Sequence, residues 1–259
     1  MSANSGSVVT IGSYDGVHRG HQRLIRGAKA EAERRGLRSV VVTFDRHPSV
    51  TVRPALVPRL ITDLELKLEL IDAIGVDEVV VLSFDQNRAQ ETPESFAEDL
   101  VTDLEAELVL VGENFHFGHD HRGDVSLLEH LGKKLGYEAR GIALVTDDAS
   151  QVVVSSRHIR TLIADGALGD VARFLGRPFE LRGTWTASEG GGIVTVPTEL
   201  CWPPAGAYLA SLRRPNEVAA GPPGAVVIDD QGRVEVTSGT VPDGLVDGAR
   251  VGLCFAEHG

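Results

Sequence analysis

The sequence predicts an α/β protein: a doubly wound parallel sheet with crossover helices over residues 1–182, followed by a smaller all-β, barrel-like domain over residues 183–259. Three observations predict it. Through the first two thirds of the chain, short apolar runs alternate with longer amphipathic segments. Near Leu181 the amphipathic runs stop, and Gly190-Gly191-Gly192, Pro203-Pro204 and Pro222-Pro223-Gly224 crowd in. The 259 residues, 42% of them hydrophobic, supply enough apolar material for buried cores and suit a large domain plus a small one.

Taken in order, Ser7 to Ile11 (SVVTI) reads as a strand, and His21 to Arg35 as a helix with Leu24, Ile25, Ala28 and Ala32 on one face. Ser39 to Phe44 is the second strand. Asp63 to Ile74 carries Leu64, Leu68, Leu70 and Ile71 at near-helical spacing, and Asp77 to Leu82 follows as a strand. Thr92-Pro93-Glu94 opens a helix, with Thr92 as N-cap and Pro93 at the first helical position. Glu107 to Val111 is a strand, Val125 to Leu135 a helix, Ala139 to Val145 a strand and Gln151 to Val154 a further one. Beyond Leu181, Ile193 to Val196, Ala225 to Ile228 and Val234 to Thr237 are short β-type runs.

Composition excludes several classes. A formal net charge of -12 repels polyanions and argues against nucleic-acid partners. Two cysteines, Cys201 and Cys254, make no disulfide framework. Met1 to Ser7 has no basic or apolar leader, and no run approaches the ~18 apolar residues of a membrane span. A cytoplasmic protein without a membrane partner is expected; oligomeric state is not readable. All four lysines and eight of the nine histidines precede the β-rich tail, which puts the functional groups in the α/β part.

Gly12-Ser13-Tyr14-Asp15-Gly16-Val17-His18-Arg19-Gly20-His21 joins the first strand to the first helix, where open parallel sheets hold ligands. Glycines 12, 16 and 20 allow close backbone approach, and a helix N-terminus near His21 turns free N–H groups and a positive dipole end to an anion. His18 and His21 can both face one phosphate. His116, His119 and His121 have the spacing of a metal site with Asp120 and Asp124 nearby, or belong to a ligand-contacting loop. Ser155 and Ser156 open a helix; Ser155 is a plain N-cap or part of a second anion site with Arg160 one turn on.

These segments resemble the bacterial bifunctional riboflavin kinase/FAD synthetases. Gly12 to Gln22 is similar to that family's Gly-x-[Phe/Tyr]-Asp-Gly-x-His-x-Gly-His-Gln, Thr43 to Pro48 to its Thr-Phe-[Asp/Glu]-Pro-His-Pro, and Gly112 to Gly118 to its Gly-x-[Asn/Asp]-Phe-x-Phe-Gly. Ser155 to Arg160 resembles Ser-Ser-Thr-x-[Ile/Val]-Arg, and Leu175 to Phe179 matches Leu-Gly-Arg-x-[Phe/Tyr]; Leu60-Ile61-Thr62 with Lys67 is a looser match. The likeness runs from residue 8 to 183. It implies a Rossmann-like nucleotidyltransferase domain that joins ATP and FMN into FAD. It further implies His18, His21 and Arg160 as catalytic residues; Gly12, Tyr14, Asp15, Gly16, Gly20, Ser155, Ser156 and Arg157 at the nucleotide; and Phe44, His47, Asn114, Phe115 and Phe117 at the flavin. For Phe44 and His47, loop packing beside Pro48 is the competing reading. Mg²⁺ would arrive with ATP and no protein-held metal is expected.

Arg46 stands where the family has Pro, and Arg157 where it has Thr, so the acceptor could be another small phosphorylated molecule. A flavin or nucleotide sensor without turnover is the non-enzyme alternative. In the tail the resemblance fails: Val196-Pro197-Thr198-Glu199 keeps only Pro-Thr of the kinase's Gly-Phe-Pro-Thr-Ala-Asn, and the catalytic Glu segment has no counterpart. A reduced barrel without riboflavin kinase activity is expected there.

Overall fold

Five strands, the first three rich in β-branched residues, build the first layer. In a computed structural model, which describes residues 6–217, 221–236, 241–242 and 244–256, the strands β1 (Ser7–Ile11), β2 (Arg38–Phe44), β3 (Glu78–Leu82), β4 (Ala106–Gly112) and β5 (Glu138–Ile142) form one sheet of order β3-β2-β1-β4-β5. Every pairing is parallel, for example Val9 opposite Val40 and Val109. β1 is buried along its whole length, as expected of a strand covered on both faces.

The crossover elements are α1 (Arg19–Arg35), two short pieces α2 (Ser49–Val52) and α4 (Gln86–Ala89) flanking α3 (Leu64–Asp72), then α5 (Pro93–Thr102) and α6 (Val125–Leu135). On one face of the sheet, Leu24, Ile25, Ala28 and Ala32 of α1 pack against Val8, Val41 and Leu108. On the other, Phe96 and Leu100 of α5 and Leu128 and Leu131 of α6 pack against Val9, Val40 and Val109. Thr92 caps α5, its hydroxyl accepting from the Ser95 amide at 3.1 Å, with Pro93 at the first helical position as the sequence predicts. α6 keeps its expected bounds because Asp124 caps one end and Gly136, at φ 91°, the other.

Four expectations change. α1 begins at Arg19, two residues early, because His18 itself is the N-cap. The helix expected to reach Ile74 stops at Asp72, ahead of a turn closed by Gly75 at φ 78°. Gln151 to Val154 is no strand: Gln151 has φ 56°, and only a Thr146–Val153 antiparallel bridge forms. The strand expected over Ala139 to Val145 runs from Glu138 to Ile142.

Two helices, α7 (Ser156–Ala164) and α8 (Leu168–Leu175), precede six strands: β6 (Glu180–Ser188), β7 (Gly191–Thr195), β8 (Gly206–Arg213), β9 (Gly224–Ile228), β10 (Arg233–Val236) and β11 (Arg250–Phe255). They close into an antiparallel barrel of order β10-β7-β6-β11-β8-β9. The expected barrel-like all-β domain is a closed barrel. Closure removes the exposed edges an open sheet would carry. Thr237, expected to end β10, lies outside the described residues. Spatially the chain forms two compact units, residues 1–57 with 70–153 and residues 58–69 with 154–259, so the change of composition near Leu181 marks the start of the barrel strands rather than the edge of a unit.

The barrel interior holds Leu181, Trp185, Val194, Leu212, Val226, Val251 and Leu253, all at most 1% exposed. The opposite face of three neighbouring strands carries charge. Arg182 on β6 lies opposite Gly252 on β11, which lies opposite Arg213 on β8. Arg182, 1% exposed, donates to Glu180 at 3.0 Å and Glu69 at 2.8 Å; Arg213 donates to Glu180 at 2.7 Å and Glu69 at 3.3 Å. Burial works to raise the Glu69 carboxyl, but the two guanidiniums prevail and hold it below the ordinary glutamate value. The missing Cβ of Gly252 leaves the space that the Glu180 carboxylate fills. Removing one partner of such a set strands the others in a dry site. Arg182→Ala should therefore destabilise the barrel by about 3–5 kcal/mol. Urea unfolding followed by tryptophan fluorescence reads this, since both tryptophans, Trp185 and Trp202, lie in this unit; an unchanged transition would show that the pairing contributes nothing.

Candidate active site

Strand order reverses beside β1: the chain leaves it toward β2 on one side and returns to β4 on the other. The crevice at such a reversal, outside the carboxyl ends of the strands, is where open α/β sheets bind ligands. Three of the segments singled out in the sequence leave neighbouring strands at this edge. They are the loop after β1 with His18 and His21, the loop after β2 with His47, and the loop after β4 with Asn114, Phe115 and Phe117.

The first loop is tightly built. Tyr14 and Val17 take left-handed backbone conformations, at φ 49° and 38°, although both carry side chains, and Gly16 has φ 80°. Burial offsets this strain: Tyr14 and Val17 are each 1% exposed in the core under α1. The Tyr14 hydroxyl shares a 2.8 Å hydrogen bond with Thr10 on β1, and burial raises its pKa well above the ordinary phenol. A side chain at Gly12 would run into the Tyr14 ring. Tyr14 and Gly12 thus shape the loop from behind, and Asp15, also buried, lies between them and Gly16.

His18 ends the loop and starts the helix. Its Nδ1 accepts from the His21 backbone N–H at 3.3 Å, while its carbonyl accepts from the Gln22 amide at 2.9 Å. A ring nitrogen that accepts carries no proton, so the capping bond selects the tautomer with hydrogen on Nε2. The His21 ring stacks on His18 with centroids 3.5 Å apart and an 18° tilt, and the Tyr14 ring meets His21 edge-on at 5.2 Å. Gly20 is the second residue of α1, inside the helix. The arrangement presents imidazoles and first-turn N–H groups together at the positive end of a 17-residue helix, which suits an anion.

The other two loops are anchored by their own residues. After β2, Asp45 accepts from the Phe84 amide and the Ser83 hydroxyl, each at 3.0 Å, and pairs with Arg46 through two hydrogen bonds of 3.0 and 3.2 Å. Those partners, Arg46 foremost, hold its carboxyl down at about 2. Phe44 packs edge-on against Phe84 at 5.2 Å, and His47 Nδ1 accepts from the Ser49 amide at 3.1 Å, so both have local packing roles. After β4, Phe115 stacks on Phe117 at 5.6 Å; Phe117 is buried against Phe96, and Asn114 is exposed. Paired backbone bonds between Phe117 and Gly123 close this loop.

In that loop the His116 and His121 rings meet edge-on with centroids 6.2 Å apart. His116 faces the Asn114 carbonyl at 3.0 Å and His119 the Ala89 carbonyl at 3.1 Å. Among the described residues no three His, Cys, Asp or Glu are grouped to hold a metal ion, and no helix is long and apolar enough to cross a membrane.

In the second unit, Ser155 caps α7, its hydroxyl accepting from the His158 amide at 3.3 Å, and Ser156 is the first helical residue. Arg157 is exposed. Arg160 turns its Nε to the Arg59 carbonyl at 2.8 Å. Sequence reading missed Asp147, whose ion-pair partner Arg19 lies 128 residues away, so no local pattern marks it.

This sheet, with its histidine-capped helix at the point of reversal and a closed barrel further along the chain, defines a Rossmann-like α/β protein with an appended β-barrel. The chain belongs to the FAD synthetase family, whose model matches residues 1–157. It is 34% identical over 200 residues to the bifunctional riboflavin kinase/FMN adenylyltransferase of Escherichia coli (strain K12), a match covering 76% of this chain and 63% of that protein. With the enzyme of the same name from Pseudomonas fluorescens it shares 34% over 179 residues, 69% of this chain and 57% of the other. The matches thus span less than two thirds of those curated relatives. In fold it is similar to the crystal structure of a macrolide-efflux protein from Streptococcus pneumoniae, with a TM-score of 0.80 and 23% identity over 96% of this chain and 84% of that one.

The capping bond fixes an observable. Two-bond ¹⁵N–¹H spectra at neutral pH should show His18 with a bare Nδ1 and a protonated Nε2; a proton on Nδ1 would rule out the cap.

Proposed function

We propose that the chain transfers the adenylyl group of ATP to FMN, forming FAD and releasing pyrophosphate. The observation that carries this reading is the emergence of three family-like loops from adjacent strands at the carboxyl edge of one sheet. In the reaction an FMN phosphate oxygen forms a bond to the α-phosphorus while the bond to the bridging oxygen of pyrophosphate breaks. Such transfers need positioning and stabilisation of crowded negative charge more than covalent help.

The Nε2–H of His18, the His21 ring and the first-turn amides of α1 donate to that charge. Tyr14, Gly12, Asp15 and Gly16 hold the loop that aims them, and Gly20 leaves its own place in the first turn without a side chain. Ser155, Ser156 and Arg160, from the segment resembling Ser-Ser-Thr-x-[Ile/Val]-Arg, are further donors to the ATP phosphates, with Arg157 beside them. Phe115, backed by Phe117, offers an apolar surface to the flavin, Asn114 a polar contact, and Phe44 and His47 flank it. Mg²⁺ enters as part of the nucleotide substrate.

The alternative of another phosphorylated acceptor drew on Arg46 and Arg157. Arg46 is engaged by its neighbour Asp45, so only Arg157 still favours it. A sensor without turnover would have no use for donors aimed at a transition state. The barrel is proposed to lack riboflavin kinase activity, because Thr198 has no following Asn and Glu199, Glu217, Asp229, Asp230 and Glu235 lie in no segment resembling the kinase's catalytic strand.

Product analysis by liquid chromatography tests all of this. With Mg-ATP and FMN the chain should yield FAD and pyrophosphate, and with riboflavin neither FMN nor FAD. Absence of FAD from FMN, with adenylylation of a different phosphorylated acceptor, would favour the second reading. FMN made from riboflavin would restore the kinase.

A further inference from the structure

Arg19 is the first residue of α1, directly after the capping His18 and two before His21. A cation there is unfavourable, because the N-terminus is the positive end of the helix dipole, and the first turn holds no acidic residue to offset it. The opposite charge comes from 128 residues further along the chain. Arg19 Nη1 donates to Asp147 Oδ1 at 3.2 Å, and the Asp147 side chain is 3% exposed against 36% for Arg19.

Asp147 is itself held firmly. Its Oδ2 accepts from the Ser150 amide at 3.0 Å and the Ser150 hydroxyl at 2.8 Å. Its backbone N–H donates to the Val152 carbonyl at 2.9 Å, and its carbonyl accepts from the Gln151 amide at 2.8 Å. One carboxylate oxygen therefore organises the turn that follows β5 while the other reaches the start of α1. First-turn amides have no carbonyl partner within their own helix, which makes this end of any helix prone to fray. Donors that meet a transition state must nevertheless stay within about 0.5 Å of their working geometry.

We propose that Arg19 and Asp147 form a positioning pair that pins the first turn of α1 to the turn after β5 and so fixes the aim of His18 and His21. Neither is a catalytic residue; both act through the imidazoles. The kinetic consequence rests on the adenylyl-transfer reading above, whereas the anchoring of the turn does not.

The test uses the full chain with Asp147→Asn, which keeps an oxygen for Ser150, with Arg19→Met, and with both together. Amide hydrogen exchange at His21 and Gln22 should quicken about tenfold in each single variant and no further in the double, while Ile25 and Ala28 stay unchanged. FAD formation should lose about tenfold in kcat with KM for ATP within about twofold, and Arg19→Lys should recover most of the loss. Unchanged exchange at the first turn, or exchange quickened equally throughout the helix, would overturn the proposal whatever the activity. Additive kinetic losses, or a rise in KM alone, would overturn the positioning role. A wild-type chain that makes no FAD would sink the reading of function while leaving the exchange result to decide on the pair.

Discussion

The hydrogen bond from the His21 amide to His18 Nδ1 is the contact on which the site depends. It makes one side chain both the helix cap and a ligand-facing group. An Asp cap would satisfy the same amide but would bring a carboxylate that repels a phosphate; an imidazole that accepts on one nitrogen still donates from the other. To bring His18 to that position the chain takes Tyr14 and Val17 through left-handed backbone conformations and buries both. The strain is local, and burial of two apolar side chains offsets it.

Much of this organisation is readable in the sequence, and what is not has a physical cause. The β-branched runs SVVTI and SVVVTF specify strands with nearly their observed bounds because fully covered parallel strands are apolar throughout. α6 and the start of α5 follow from capping residues in plain view. The start of α1 was hidden, since histidine is an uncommon cap. Gln151 to Val154 looks like a strand by composition, yet Gln151 turns the backbone and Asp147 ties the segment into a turn. Asp147 escapes because its role depends on Arg19, a partner brought to it only by the fold.

The barrel teaches the complementary lesson. Its glycines and prolines mark an all-β tail, and Gly183, Gly192 and Gly252 are places where neighbouring side chains need the room: Val194, the Trp185 ring and the Glu180 carboxylate respectively. Glu69 is contributed by the separate segment 58–69, whose importance to the charged face of the barrel no periodicity reveals. Family resemblance fades in this region while the architecture closes fully, which separates what folding needs from what a kinase site would need.

The central claim is that the histidine-capped end of α1 meets charge that grows during adenylyl transfer. Steady-state kinetics of His21→Ala with Mg-ATP and FMN tests it most directly. A donor to the transition state predicts a fall in kcat of about 10²- to 10³-fold with little change in KM for ATP. Near-normal kcat with only a raised KM would contradict the account and leave His21 as a contact to the bound substrate.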